Sequence, residues 1–186
     1  MRSLISKPRG IIYRTILQAW LLVAAYAVAH DQYLVRIEPR HFTEYHPSIP
    51  GIDSPLLQAA IIAFSASFAP GLALGIACTL AAWAGTWPQL SRRYIFTGVS
   101  VVIALSEIAS QLSRVWVMKR GSSFYPDIVF PERSLPILIT QTVQITCYLA
   151  SATLSFSLLL LMLYTRYLLR QKAEPRMLGV ARAYRE

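Results

Sequence analysis

The chain has 186 residues, of which 55% are hydrophobic and only 15% are charged, and its mean hydropathy is +0.45. A soluble globular domain typically has about 25% charged residues, so this composition excludes an ordinary water-soluble fold. The net charge of +9 would suit a nucleic-acid partner, but the basic residues flank apolar segments, and we expect no nucleic-acid binding.

Four long apolar runs predict four transmembrane helices. About 20 apolar residues cross a bilayer as a helix, and a helix satisfies its own backbone polar groups in hydrocarbon. The sequence therefore predicts an all-α integral membrane protein, a four-transmembrane-helix bundle that forms one domain and ends in a basic tail over residues 169–186. We place the spans at about residues 11–30, 55–87, 94–118 and 135–168.

The first run also has features of a secretory signal peptide. Basic residues precede an apolar core, and Ala27-Val28-Ala29 matches the small-x-small pattern that signal peptidase cleaves. Cleavage there would make His30 the first residue of the mature chain, where an amine and an imidazole together suit copper. The alternative, an uncleaved first helix, is our prediction.

All three histidines of the chain, His30, His41 and His46, lie in or beside the predicted outer loop over residues 31–54. Imidazole ligands suit zinc or copper, so a metal site is one hypothesis. Their spacing matches no established ligand motif. The alternative is that His30, Asp31 and Gln32 end the first helix and hold the loop by hydrogen bonds.

The same loop has an alternating pattern. Tyr33, Val35 and Ile37 alternate with other residues, and a second extended stretch could follow Pro39. This pattern favours a short β-hairpin that caps the outer face. The second outer loop, residues 119–134, could pack beside it.

One block of this loop resembles a known family. The block comprises His30-Asp31-Gln32, then Arg36, then Phe42-Thr43 and His46-Pro47. It resembles an uncharacterised family of small bacterial multi-pass membrane proteins in which an HDQ or NDQ block precedes an EYFT block. Here the second block reads Arg40-His41-Phe42-Thr43, so its acidic and tyrosine positions depart from the pattern. The resemblance implies a membrane-protein family without an assigned activity and supplies no catalytic residue.

The second span carries two signs of helix packing. Asp53 or Ser54 can cap its start, and Pro55 suits a first helical turn. Gly71 and Gly75 form a GxxxG pair, which allows two membrane helices to approach closely. We expect close packing rather than ligand binding from this pair.

Polar residues recur within the third and fourth spans. Glu107, Gln111 and Arg114 share one face of the third helix, and Gln141 and Gln144 lie at a comparable depth in the fourth. We expect the two faces to meet inside the bundle. One interpretation is interhelical hydrogen bonding; the other is a proton or ion path that uses Glu107. By the same depth argument, His30-Asp31-Gln32 and Arg36 would face Gln111 or Arg114.

The basic residues predict orientation. By the positive-inside rule, the more basic side faces the cytoplasm, so we predict cytoplasmic termini in a bacterial inner membrane. Twelve of the eighteen Lys and Arg residues fall on the side of the termini: Arg2, Lys7, Arg9, Arg14, Arg92, Arg93, Arg166, Arg170, Lys172, Arg176, Arg182 and Arg185.

The sequence contains no catalytic motif that we recognise. Cys78 and Cys147 lie within spans without CxxC spacing, and no phosphate loop, HExxH or GxSxG occurs. Our leading hypothesis is a non-enzymatic accessory protein or subunit whose outer polar cluster binds a partner or small ligand. The alternatives are a small transporter or ion-conducting oligomer that uses Glu107, and a histidine-based metal-dependent membrane enzyme. Expected partners are membrane lipids and other membrane subunits, including copies of itself.

Overall fold

The computed structural model describes residues 7–47 and 49–183, and these residues form helices and loops without a strand. Four of the helices are long and apolar enough to span a membrane, which confirms the predicted all-α four-helix architecture. The elements in chain order are α1 (Arg9–Leu34), α2 (Arg40–Thr43), α3 (Pro55–Trp83), α4 (Arg92–Arg120), a 3-10 turn (Asp127–Val129) and α5 (Leu135–Ala183).

Helix boundaries follow local capping chemistry. The Ser54 side chain accepts a hydrogen bond from the Leu57 amide at 3.5 Å, with Pro55 in the first turn, as predicted. α4 begins earlier than predicted, because Ser91 caps it in the same way, and it ends at Gly121, whose φ of 66° suits glycine. α1 continues to Leu34, and α5 continues into the predicted tail as far as Ala183, while residues 184–186 lie outside the described part of the chain.

The helices pack as two antiparallel pairs, α1 with α3 and α4 with α5, and α3 also contacts α5. We call the end that carries residues 35–54 and 121–134 the loop end, and the opposite end the terminal end. The half of the bundle at the terminal end has a continuous apolar core, formed by Cys78, Ala81, Ala82, Trp83, Leu90, Ile95, Val99, Val102, Leu158 and Met162. Polar side chains are concentrated in the other half.

The predicted GxxxG pair lies where α3 crosses α1. A Cβ on Gly75 would lie 2.9 Å from the Ile16 carbonyl oxygen, and a Cβ on Gly71 would lie 2.7 Å from Trp20 Cδ1. Both distances are too short for a real contact, so these glycines set the spacing of the two helices. The close-packing prediction is confirmed.

Replacing Gly75 with alanine should destabilise the protein by roughly 1–3 kcal/mol, because the new methyl group meets backbone that moves only if the helices separate. Gly98→Ala is the matched control, since its Cβ would meet only the end of the Leu158 side chain, 2.5 Å away, which can rotate. Thermal unfolding in detergent should give a clearly lower midpoint for Gly75→Ala than for Gly98→Ala. Equal midpoints would contradict this account of the helix crossing.

The predicted β-hairpin is wrong. Residues 33 and 34 form the last turn of α1, and α2 follows after Pro39. The buried positions nearby are Asp31, Leu34, Val35, Glu38, His41 and Phe42. They recur every three to four residues, which is a helical period, whereas a half-buried strand would bury every second residue. We call residues 35–47 the cap.

Candidate functional site

The carboxylate of Glu107, near the middle of α4, is the centre of a polar cluster. Its Oε2 accepts hydrogen bonds from the Tyr26 hydroxyl at 2.9 Å and from His30 Nδ1 at 2.8 Å. Its Oε1 accepts one from Gln111 Nε2 at 2.6 Å. Three donors from two helices therefore satisfy one carboxylate within the membrane-spanning part of the chain.

This arrangement defines the His30 tautomer. His30 donates from Nδ1, so in the neutral ring Nε2 is left as an acceptor. Nε2 is buried and has no hydrogen-bond partner among the described residues. The ring therefore retains one unused acceptor beside the Glu107 carboxylate.

The polar contact between α1 and α4 continues toward the loop end. The Tyr33 hydroxyl donates to Gln111 Oε1 at 3.4 Å, and the Arg114 guanidinium lies 5.4 Å from the centre of the Tyr33 ring, a cation–π contact. Arg114 Nε is buried without a hydrogen-bond partner in the described part of the chain. We call Tyr26, His30, Tyr33, Glu107, Gln111 and Arg114 the outer polar cluster.

The cluster is open on one side. The Glu107 side chain is 35% exposed, whereas that of His30 is 3% exposed. Ile108, the next residue along α4, is exposed at 55%, so the carboxylate borders a surface that would face lipid in an isolated bundle.

Cys147 of α5 joins the cluster through Tyr26, because its sulfur lies 3.1 Å from the Tyr26 hydroxyl. The expected partners, Gln141 and Gln144, do not bind Glu107. Gln144 hydrogen-bonds to His41 of the cap instead, and Gln141 forms no hydrogen bond with the cluster among the described residues. Depth along the helices predicted glutamine partners on α5, whereas the partners of Glu107 lie on α1 and on α4 itself.

His30, Asp31 and Gln32 lie inside α1 and do not end it, which corrects that expectation. The Asp31 carboxylate is buried and makes no hydrogen bond or ion pair with the described residues. Gln32 Nε2 donates to the Leu56 carbonyl at 2.7 Å and so joins the end of α1 to the start of α3. Arg36 donates back to the Gln32 carbonyl and stays outside the cluster.

The cap inserts α2 between the helix ends. His41 and Phe42 are buried, and His41 Nε2 hydrogen-bonds to Gln144 Oε1. Burial lowers the pKa of His41 to about 4. Phe42 belongs to a second apolar cluster, formed with Leu34, Val35, Ala59, Val117, Leu138, Ile139 and Val143.

An ion-pair network joins the cap to the second loop. Arg40 binds Glu38 at 2.9 Å and Glu132 at 2.8 Å. Hydrogen bonds from Arg40 lower the pKa of Glu38, and hydrogen bonds from Ser134 and Arg40 lower that of Glu132. Tyr45 also donates to Glu132, at 3.2 Å. The two loops therefore form one ordered surface.

The three histidines do not form one metal site. His30 bonds to Glu107, while His41 and His46 lie together with ring centres 4.9 Å apart, and His46 Nδ1 donates to the His41 carbonyl at 2.7 Å. Among the described residues, no group of three or more His, Cys, Asp or Glu side chains could hold a metal ion. The His30, His41 and His46 zinc or copper hypothesis is therefore not supported.

The fold and the cluster together define a multi-pass membrane protein with a polar, partly open cluster in one half of the bundle. Comparison with protein-family models, curated proteins and solved structures found no match. The resemblance of the His30-Asp31-Gln32 block to a bacterial membrane family stays a prediction.

Proposed function

We propose that this protein is a non-enzymatic accessory subunit of a bacterial inner membrane and that its outer polar cluster binds a partner protein or a small ligand. The excess of basic residues on the terminal side supports cytoplasmic termini and, with them, a position of the cluster in the outer half of the membrane. The resemblance of the loop block supports a bacterial source.

The observation that carries the proposal is the partial exposure of Glu107. A polar or charged side chain inside a membrane is costly and normally faces the interior of a bundle. Here three donors hold the carboxylate, yet 35% of the side chain is exposed on the outside of the α1–α4 contact. A partner helix or a polar ligand on this side would remove that cost.

A transporter that uses Glu107 is the second candidate, and the direct contact between His30 and Glu107 favours it, since such a pair can exchange a proton. The core at the terminal end weighs against it. In the described residues that half has a mainly apolar core of side chains such as Trp83, Ile95 and Met162, and its buried Arg166 is held by backbone carbonyls. Binding therefore fits the geometry better than conduction.

The test is native mass spectrometry of the protein released from its own membranes in polymer nanodiscs. We expect the wild type to carry a reproducible extra mass, either a partner chain or a small ligand, and Glu107→Gln to lose it. Ile108→Ala is the matched control, because it changes the adjacent exposed residue and leaves the carboxylate in place, and it should retain the extra mass.

A wild-type protein that carries only lipids would contradict the proposal, as would an extra mass that persists in Glu107→Gln. Measurement of proton flux into liposomes distinguishes the transporter candidate from the accessory-subunit proposal. Flux that Glu107→Gln abolishes would favour transport, and no flux in either protein would remove it.

A further inference from the structure

A groove on the outside of the bundle lies between α4 and α5, away from the outer polar cluster. Its volume is about 520 Å³, within the roughly 300–1,000 Å³ typical of pockets for one small ligand. Its walls are mainly apolar and include Val101, Leu105, Leu154 and Leu161. Ser91 and Arg93 form its end at the terminal side.

The groove has the length of one membrane leaflet. From Arg93 to Leu105 it follows α4 for about 18 Å, at about 1.5 Å of rise per residue. Half of a hydrocarbon core is about 15 Å. In a bilayer centred on α4, the groove would therefore run from the membrane surface at the terminal end to about the bilayer centre, near Leu105.

The positive charge of Arg93, at the surface end of the groove, is free to bind a ligand. Arg93 is exposed and makes no hydrogen bond or ion pair with any residue that the structure describes. The adjacent Arg92 is already engaged, since it donates to Gln18 and stacks on the Phe96 ring with 5.3 Å to the ring centre. An apolar channel one leaflet long with an unpaired guanidinium at its surface end matches a phospholipid with an anionic head group.

We propose that this groove binds one anionic phospholipid of the leaflet at the terminal end. One acyl chain lies between α4 and α5, and Arg93 binds the phosphate. Gly98 shapes the wall, because the absence of a side chain there lets Leu158 lie against α4.

Native mass spectrometry with added lipids tests the proposal. Purified, delipidated protein is titrated with phosphatidylglycerol and, separately, with phosphatidylcholine that has identical acyl chains. We expect the first bound phosphatidylglycerol to bind about fivefold more tightly, the factor that one basic residue near the membrane surface supplies.

Two pairs of variants separate head-group binding from chain binding. Arg93→Gln should lose the preference for phosphatidylglycerol, while Arg14→Gln, an equal charge change outside the groove, should keep it. Val101→Trp fills the groove and should abolish the tight site for both lipids, while Leu112→Trp, on an exposed position nearer the loop end, should not.

Equal affinity of the wild type for the two lipids would overturn the proposal. So would an equal loss of preference in Arg14→Gln, since that result would show attraction by overall charge alone. Retention of the tight site in a folded Val101→Trp protein would overturn the assignment of the groove. Arg93→Gln tests the head-group contact even if the tryptophan variant fails to fold, because Arg93 is exposed.

Discussion

Replacing Arg166 with alanine is expected to lower the free energy of unfolding by roughly 3–5 kcal/mol, the largest effect of any single substitution considered for this protein. Arg166, in α5 near the terminal end, is 3% exposed. Its guanidinium donates to the carbonyls of Ala81 at 2.8 Å, Ala84 at 2.6 Å, Trp87 at 3.1 Å and Pro88 at 2.9 Å.

These carbonyls belong to the last turn of α3 and to the segment that follows it. A helix C-terminus leaves carbonyls without partners and carries a partial negative charge, so a buried cation with several donors stabilises it. Alanine would remove the donor from four acceptors in a partly buried site. Lysine keeps the charge but not the planar fork of donors, so Arg166→Lys should lose stability to an intermediate extent.

Thermal unfolding in detergent and amide hydrogen exchange of residues 84–91 measure the effect. We expect Arg166→Ala to lower the unfolding midpoint and to speed exchange in that segment. Lys172→Ala, an exposed basic residue of the same helix, is the control and should do neither. Unchanged exchange in Arg166→Ala would show that the segment is held by other contacts.

Lowering the pH is expected to release the cap from the bundle. The pKa of His41 is lowered to about 4 from its usual 6.5, chiefly by burial, with His46 acting in the same direction and Gln144 and Glu38 opposing it. Between pH 6.5 and 4 the unfolded chain binds a proton at this site and the folded chain does not. The contribution of His41 to stability therefore falls as the pH falls through this window, by up to about 3 kcal/mol.

The carboxylates of the loop ion pairs add a second, more acidic effect. Glu38 and Glu132 have lowered pKa values, so the stability that they contribute is present above their usual pKa of 4.5 and is lost at lower pH. A loss of stability between pH 6.5 and 5 that His41→Gln removes therefore reports His41 rather than the ion pairs.

Unfolding midpoints measured from pH 7.5 to 5 test this assignment. His41→Gln can still donate to Gln144 and does not titrate, so on going from pH 7.5 to 5 its midpoint should fall less, relative to its value at pH 7.5, than that of the wild type. His46→Asn leaves His41 in place and should follow the wild type in the same window. The assignment fails if the midpoints of the wild type and His41→Gln change equally with pH.

Some local features could be predicted because their causes are local. The start of α3 follows from Ser54 and Pro55, whose side chains act within one turn. Gly71 and Gly75 identified a close helix crossing, because only small residues permit one, although the partner helix was not predictable. The predicted hairpin failed because burial from Asp31 to His41 recurs every three to four residues, and Val35 is the only one of the three alternating residues that is buried.

The sequence by itself determined the number of spanning helices, because a stretch of about 20 apolar residues has one stable solution in hydrocarbon. It also singled out Glu107, because an acidic residue within such a stretch requires partners. Only the tertiary structure decided which residues those partners are.

Tyr26, His30 and Gln111 bind Glu107, and Gln144 binds His41, because the rotation of each helix about its axis sets which side chains meet. That rotation depends on packing between helices far apart in the sequence, which hydropathy does not encode. The same holds for Arg166. Its charge identified it as a residue of the terminal side, but its burial among four carbonyls depends on where α5 passes the end of α3.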